Sequence, residues 1–204
     1  MKFANFCLSA VALCCMSTAF AAEGNFTGAS LSLGLGTSSN KVEYGGFLNG
    51  QSSSKTDLAS DLQFNYGIAA GNNWVIGLGA SYDLNDRKFG AVNYTDGGQQ
   101  TVNVKLKEHW SLFVTPGYLV QPDLLVYGKL AYHSAKADIH DTDVGNGTSN
   151  HQGVGYGIGV SYALTRAVEL GAEVQYVSLS RESANLSNGK PSFTEAMVRL
   201  GYRF

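Results

Sequence analysis

The chain has 204 residues, and its 14 Lys and Arg against 16 Asp and Glu leave a formal net charge of −2. That balance gives nucleic-acid binding no support, because such binding calls for a concentrated positive surface. Glycine (25), tyrosine (11) and phenylalanine (10) are abundant while proline (3) is scarce, which fits an all-β chain better than a helical one.

Met1-Lys2 supplies one positive charge, Phe3 to Met16 is mostly apolar, and Ala19-Phe20-Ala21 is a small-x-small pattern. Residues 1–21 therefore read as a secretory signal peptide cleaved after Ala21. The alternative is an N-terminal anchor, for which the apolar run is short. All three cysteines (Cys7, Cys14, Cys15) lie in this segment, so disulfide and thiol chemistry are not expected of residues 22–204. Ala12-Leu13 ahead of Cys14 lacks the small residue that a lipoprotein signal needs. The remainder, 22–204, fits one domain.

Period-two alternation then predicts eight strands, over roughly 26–37, 62–71, 74–84, 109–119, 124–134, 153–164, 167–179 and 193–204. Each has one face free of charged and amide side chains, as in Leu31, Leu33 and Leu35 or Tyr156, Ile158 and Val160. The last strand shows the contrast best. Ala196, Val198, Leu200, Tyr202 and Phe204 alternate with Glu195, Met197, Arg199, Gly201 and Arg203. Successive strand residues face opposite ways, so one face suits hydrocarbon and the other suits water or ion pairs. Aromatics are expected at both rims of the apolar face. One rim would hold Trp74, Tyr118, Tyr162, Tyr202 and Phe204, and the other Phe64, Tyr66, Tyr82, Trp110, Tyr132, Tyr156 and Tyr176. Short turns at 71–73, 120–123 and 165–166 alternate with long polar links at 38–61, 85–108, 135–152 and 180–192, and Gln51-Ser52-Ser53-Ser54 reads as flexible. A soluble lipocalin-type barrel also has eight strands, but its apolar face points inward. The aromatic rims and the terminal Phe204 argue against it.

These residues predict an all-β, eight-stranded antiparallel up-and-down transmembrane β-barrel. Ser111-Leu112-Phe113-Val114-Thr115-Pro116-Gly117-Tyr118, Val126-Tyr127-Gly128-Lys129-Leu130-Ala131-Tyr132 and Gly155-Tyr156-Gly157-Ile158-Gly159-Val160-Ser161-Tyr162 resemble the fourth, fifth and sixth strands of the small eight-stranded outer-membrane barrels, the OmpA-like transmembrane and opacity-type surface proteins. The resemblance covers all of 22–204. It implies a place in the cell outer membrane among its lipids and lipopolysaccharide, and long loops able to meet host or surface ligands. It also implies a final strand, with Leu200, Tyr202 and Phe204, that the barrel assembly machinery reads as its signal.

An eight-stranded barrel is just wide enough for its own side chains. On the inward face, glycines leave space, while Lys129, Glu169, Glu173, Arg199 and Arg203 supply charge. A constant-sum pairing of the last two strands would set Glu169 opposite Arg203 and Glu173 opposite Arg199. These charges read either as a polar plug or as a gate in a narrow channel. Pro116 cannot donate to the ladder, so a local bulge or irregularity is expected near the periplasmic rim. His109-Trp110-Ser111 has the spacing of a lipid-deacylating pair, but Trp110 takes the lipid face, so His109 and Ser111 read as structural. Asp138, His140, Asp141, Asp143, Asn146 and His151 could bind calcium or zinc but match no complete motif, and they read as a solvated turn. No metal, cofactor or catalytic residue is expected. The first reading is a non-enzymatic surface protein; the second is a narrow gated porin-like channel for small solutes or ions.

Overall fold

The computed structural model describes residues 24–46, 50–95, 99–141, 145–180, 182–184 and 187–204; the expected signal peptide, 1–21, and Asp143 lie outside them. Ten strands form one antiparallel sheet: β1 (Gly28–Gly46), β2 (Ser52–Ala69), β3 (Trp74–Asp83), β4 (Arg87–Thr95), β5 (Gln99–Gln121), β6 (Leu124–Asp141), β7 (Gly145–Ala163), β8 (Val168–Leu179), β9 (Glu182–Ala184) and β10 (Ser187–Arg203). Eight of them, all but β4 and β9, follow one another around a ring, and β1 pairs with β10 to close it. β4 and β9 are added to the far ends of β5 and β10. The expected eight-stranded barrel is thus the fold, and closure leaves its staves no free edge within the membrane.

The alternation of the sequence becomes an inside and an outside. Leu33 pairs with Leu62 on one side and Leu200 on the other, and all three point outward. Leu78 pairs with Val114 and Val114 with Leu130, continuing the same apolar rows around the wall. Three short turns end the barrel on one side, at 70–73, 122–123 and 164–167. In the third, Thr165 Oγ1 accepts hydrogen bonds from the Ala167 and Val168 amides. Trp74 and Tyr118, directly opposed at this end, meet edge to face at 5.2 Å, as do Tyr202 and Phe204. Tyr82, Trp110 and Tyr132 mark the other rim along adjacent strands. Tyr66, expected there, belongs instead to the turn end: it faces Ala29 at the start of β1, and Phe64 faces Leu31 in the wall below the rim. The expectation failed because β2 begins at Ser52, ten residues before the predicted Leu62.

The strands are longer than a membrane requires. β5 has 23 residues, whereas about 9–11 suffice to cross. The predicted polar links are largely paired strand: Lys41, Val42 and Glu43 face Ser54, Ser53 and Ser52, and Lys136 to Asp141 faces Asn150 to Gly145. The segment 52–54 is therefore laddered. Above the aromatic rim the polarity of the wall inverts. Val42, Tyr44, Phe89, Val104, Leu106, Ala135, Ala137, Val177, Leu179 and Phe193 form a buried cluster inside the ring, while Lys41, Glu43, Lys105 and Lys136 between them face out. The lower barrel is apolar outside and polar inside; the upper barrel is the reverse, as water on its outer side demands.

Pro116 keeps its place opposite Ile76, and the β5–β6 register is the same before and after it, at Val114↔Leu130 and Gly117↔Tyr127. The irregularity expected at the turn-side rim is present as a register shift between Leu119 and Gln121, and a second shift lies between Lys107 and Trp110 at the hairpin end. The latter contains Glu108, whose φ of 49° is the αL geometry of a bulge. This extra residue moves the inward position on β5 from His109 below to Leu106 above.

Candidate functional site: the filled lumen

Three layers of polar side chains cross the lumen, with the apolar cluster above them. At the turn end Phe26, 3% exposed, tucks beneath the ring, and Asn25 Nδ2 donates to the Pro122 carbonyl at 2.9 Å. Arg203 binds Glu169, donates to the Thr27 carbonyl at 3.2 Å and lies 5.7 Å from the Phe26 ring centroid. The N-terminal segment of the barrel is thereby fastened across its own mouth.

The middle layer centres on Glu173 and Arg199. Arg199 Nη1 donates to Asp61 Oδ1 at 2.6 Å and Nη2 to Glu173 Oε1 at 3.1 Å. Lys129 Nζ donates to the same Glu173 oxygen at 2.8 Å and to Gln63 Oε1 at 3.3 Å, and the Tyr127 hydroxyl donates to Glu173 Oε2 at 3.0 Å. Two cations and two carboxylates balance in the buried interior, where an unpaired charge would be costly. The glycines opposite make the room. A Cβ on Gly34 would lie 2.2 Å from Asp61 Oδ1, and one on Gly159 would lie 2.4 Å from Tyr127 Cζ. Between this layer and the turn end, a cavity of about 50 Å³ lined by Gln63, Asn65, Glu169, Arg199 and Arg203 has room for a few water molecules.

The third layer lies at the level of the upper rim. Arg87 Nε binds Asp83 Oδ2 at 2.5 Å, its Nη2 binds Glu195 Oε2 at 2.6 Å and its Nη1 donates to Ser38 Oγ at 2.8 Å. His109 Nδ1 lies 2.8 Å from the same Asp83 oxygen, and its Nε2 is 2.9 Å from His133 Nδ1. The Phe193 ring covers this layer, with the Arg87 guanidinium 4.1 Å from its centroid and His109 edge-on at 5.5 Å. Phe89, Leu106, Leu179, Val42 and Val177, each at most 1% exposed, complete the cap above.

The five lumen charges singled out from sequence all face inward, but not in the expected register. Glu169 faces Gly201, Glu173 faces Met197 and Arg199 faces Gly171. The ladder is offset by two residues, so side-chain parity is kept and the long arms reach diagonally to form Arg203–Glu169 and Arg199–Glu173. Leu200, Tyr202 and Phe204 face outward on β10 and beyond its end. His109 and Ser111 point into the lumen, where Ser111 Oγ bonds Ser81 Oγ at 2.7 Å, away from any lipid. Asp138 pairs with Lys107 at 2.6 Å, His151 bonds Ser149 Oγ and the Ser180 carbonyl, and no metal-holding group occurs among the described residues. Sequence reasoning missed Asp61, Asp83 and Arg87, and placed Glu195 on the charged face of the last strand without singling it out. Asp61 and Glu195 alternate with outward Leu62 and Ala196, so the strand pattern carried a signal for them; Arg87 lay in a stretch read as a loop.

Among known structures the chain is similar to Neisserial surface protein A, at 17% identity and a TM-score of 0.53 over 87% of this chain and 99% of that one. It is also similar to the outer membrane protease OmpT of Escherichia coli, at 13% identity and a TM-score of 0.51 over 86% and 96%. A third is Ail, the attachment invasion locus protein of Yersinia pestis, solved with the heparin analogue sucrose octasulfate, at 14% identity and a TM-score of 0.43 over 85% and 99%. No curated protein sequence matches. The family model described as "Outer membrane protein beta-barrel domain" matches residues 7–204. By that match, and by the closed ring with its apolar wall, the chain belongs to the outer-membrane β-barrel family and resides in the outer membrane.

Proposed function

We propose that this protein is a closed, non-enzymatic surface barrel that acts through its extracellular hairpins and not through its lumen. The observation that carries the reading is the apolar cap of Phe89, Phe193, Leu106, Leu179, Val42 and Val177 across the ring, with three paired charge layers beneath it. A conducting path would need those pairs broken and that cap wetted and moved aside, each at a free-energy cost. The paired strands extend beyond the rim, away from the membrane, where partners can reach them.

The test is single-channel conductance of the refolded chain in a planar bilayer, beside Arg199→Ala and Phe193→Ala. Silence from the parent chain, with a heat-shifted band on a gel showing the barrel intact, is expected. A reproducible conductance that rises in Arg199→Ala would overturn this reading in favour of a gated channel.

A further inference from the structure

The aromatic girdle at the hairpin rim is incomplete. Tyr82, Trp110, Tyr132, Tyr156 and Tyr176 mark it on β3, β5, β6, β7 and β8, all facing outward. Along one rung Tyr156 pairs with Tyr176, Tyr176 with Thr194, Thr194 with Ser39 and Ser39 with Thr56. On β10, β1 and β2 the rim position therefore carries a hydroxyl group and no ring. Among the described residues, no aromatic side chain faces outward on the upper half of those three strands. An outer-membrane barrel otherwise meets both interfaces with a belt of rings.

Directly below this gap the wall is dented. A recess of about 580 Å³ opens on the outer, apolar surface, lined in part by Leu35, Thr37, Ile158, Ala172, Ala196 and Val198. The two alanines shape it. Ala196 sits between Val174 and Thr37, and Ala172 between Val160 and Val198, so methyl groups stand among larger side chains. Beside the dent, β7 stands proud. Ile158, Val154 and Tyr156 are 71%, 66% and 61% exposed, three of the four most exposed large apolar side chains among the described residues. A ridge and a dent thus lie side by side on one face.

We propose that this face, from β7 across β8 and β10 to β1, is where a second copy of the chain packs in the plane of the bilayer. With a two-fold axis through β8, the β7 ridge of each copy enters the dent of the other, which is the self-complementarity such an axis requires. Tyr156 of each copy then stands at the bare stretch of the other's rim, where Thr194 and Ser39 offer hydroxyl groups. Four strands about 4.8 Å apart and an apolar band about 25 Å tall give about 500 Å² of wall per copy, or about 1,000 Å² for the pair, the size at which specific association begins. Two convex barrels would otherwise touch along a line; a ridge seated in a dent lets that area be used. Lipid tails are as apolar as this wall, so close packing around small side chains carries the pairing. The pairing goes beyond the surface reading above and does not depend on a closed lumen. It would set two groups of hairpins side by side, so that a multivalent ligand could engage both.

The test is disulfide trapping of the refolded chain in phospholipid vesicles. Residues 22–204 contain no cysteine, so one thiol at a time can be introduced. Val174→Cys places it on β8, at the axis. Leu78→Cys places it on β3, four strands away in either direction around the ring. With a membrane-permeant oxidant and at high lipid dilution, Val174→Cys should give at least ~10-fold more covalent dimer than Leu78→Cys, as a pairing energy typical of membrane segments implies. Filling the dent with Ala172→Leu and Ala196→Leu in the Val174→Cys chain should bring trapping down to the Leu78→Cys level. The filled chain should keep its heat-shifted band, since both positions face lipid; if it fails to fold, Ile158→Ala, which trims the ridge, serves the same comparison. Equal trapping at Val174→Cys and Leu78→Cys overturns the proposal, and so does trapping that ignores both the filled dent and the trimmed ridge. In outer membranes of the expressing cell, a Val174→Cys adduct with a different protein and no dimer of this chain assigns the face to another partner and also overturns it.

Discussion

Phe193 is the side chain whose removal probes the upper barrel most directly. It is 1% exposed, lies between the Arg87 layer and the apolar cap, and carries the Arg87 guanidinium 4.1 Å from its ring centroid. Replacing it by alanine leaves a cavity that rigid strands on both sides cannot fill. A buried Phe→Ala change costs about 3–5 kcal/mol, and losing the stacked cation adds about 1 kcal/mol. The expected loss is therefore about 4–6 kcal/mol, against under about 2 kcal/mol for Phe193→Leu, which keeps most of the apolar volume. Urea unfolding from phospholipid bilayers, followed by tryptophan fluorescence, measures it. The chain has two tryptophans, Trp74 at the turn end and Trp110 at the hairpin rim, so their replacement one at a time by phenylalanine separates the two ends. The Trp110 signal should move to lower urea in Phe193→Ala. A loss below about 1 kcal/mol, or no difference between the alanine and leucine variants, would refute the packed cap and with it the argument for a closed lumen.

Arg199→Ala should destabilise by about 3–5 kcal/mol, because buried Asp61 loses its cation and Glu173 keeps only Lys129 and the Tyr127 hydroxyl; a heat-shift gel with urea would show it, and Asp61→Asn in the same background should recover part of the loss. Gly159→Ala would press a methyl group onto the Tyr127 ring at 2.4 Å and should cost about 1–3 kcal/mol. Gly128→Ala, with open space at its Cβ on the lipid side, should leave the melting point unchanged. Burial in the cap raises the Tyr44 hydroxyl above its usual pKa of 10.0. The folded state then holds that proton more firmly than the unfolded state, so this contribution is complete below pH 10 and is lost as pH rises beyond it. Alkaline unfolding followed by tyrosinate absorbance should show a transition that Tyr44→Phe shifts to higher pH.

The lower barrel was readable because period two is a local property. Leu31, Leu33 and Leu35 face lipid, and Arg199 and Arg203 face the lumen, whatever their neighbours, since parity follows from the pleat alone. The terminal strand, the wall and the turns all follow from this. Register does not. Glu173 lies opposite Met197 and not Arg199, because the stagger of a barrel is set by closing the whole ring. The diagonal ion pairs survived only because arginine is long enough to span the offset.

The upper barrel was hidden for a different reason. Val42 and Tyr44 alternate with Lys41 and Glu43 as regularly as Leu33 alternates with Gly34, yet the solvent change at the rim reverses which parity is polar. A stretch with charges on one face read as a polar link, although it is a strand whose outer side meets water. Arg87 and Phe89, on β4, reach Glu195 and Phe193, on β10, only because the ring brings the two strands face to face across the lumen. The sequence by itself determined the faces of the wall, the chemistry of each face and the membrane that receives it. The tertiary structure decided how far the strands extend, which charges meet and which side chains fill the lumen, because those depend on contacts between residues far apart in the chain that no local period encodes.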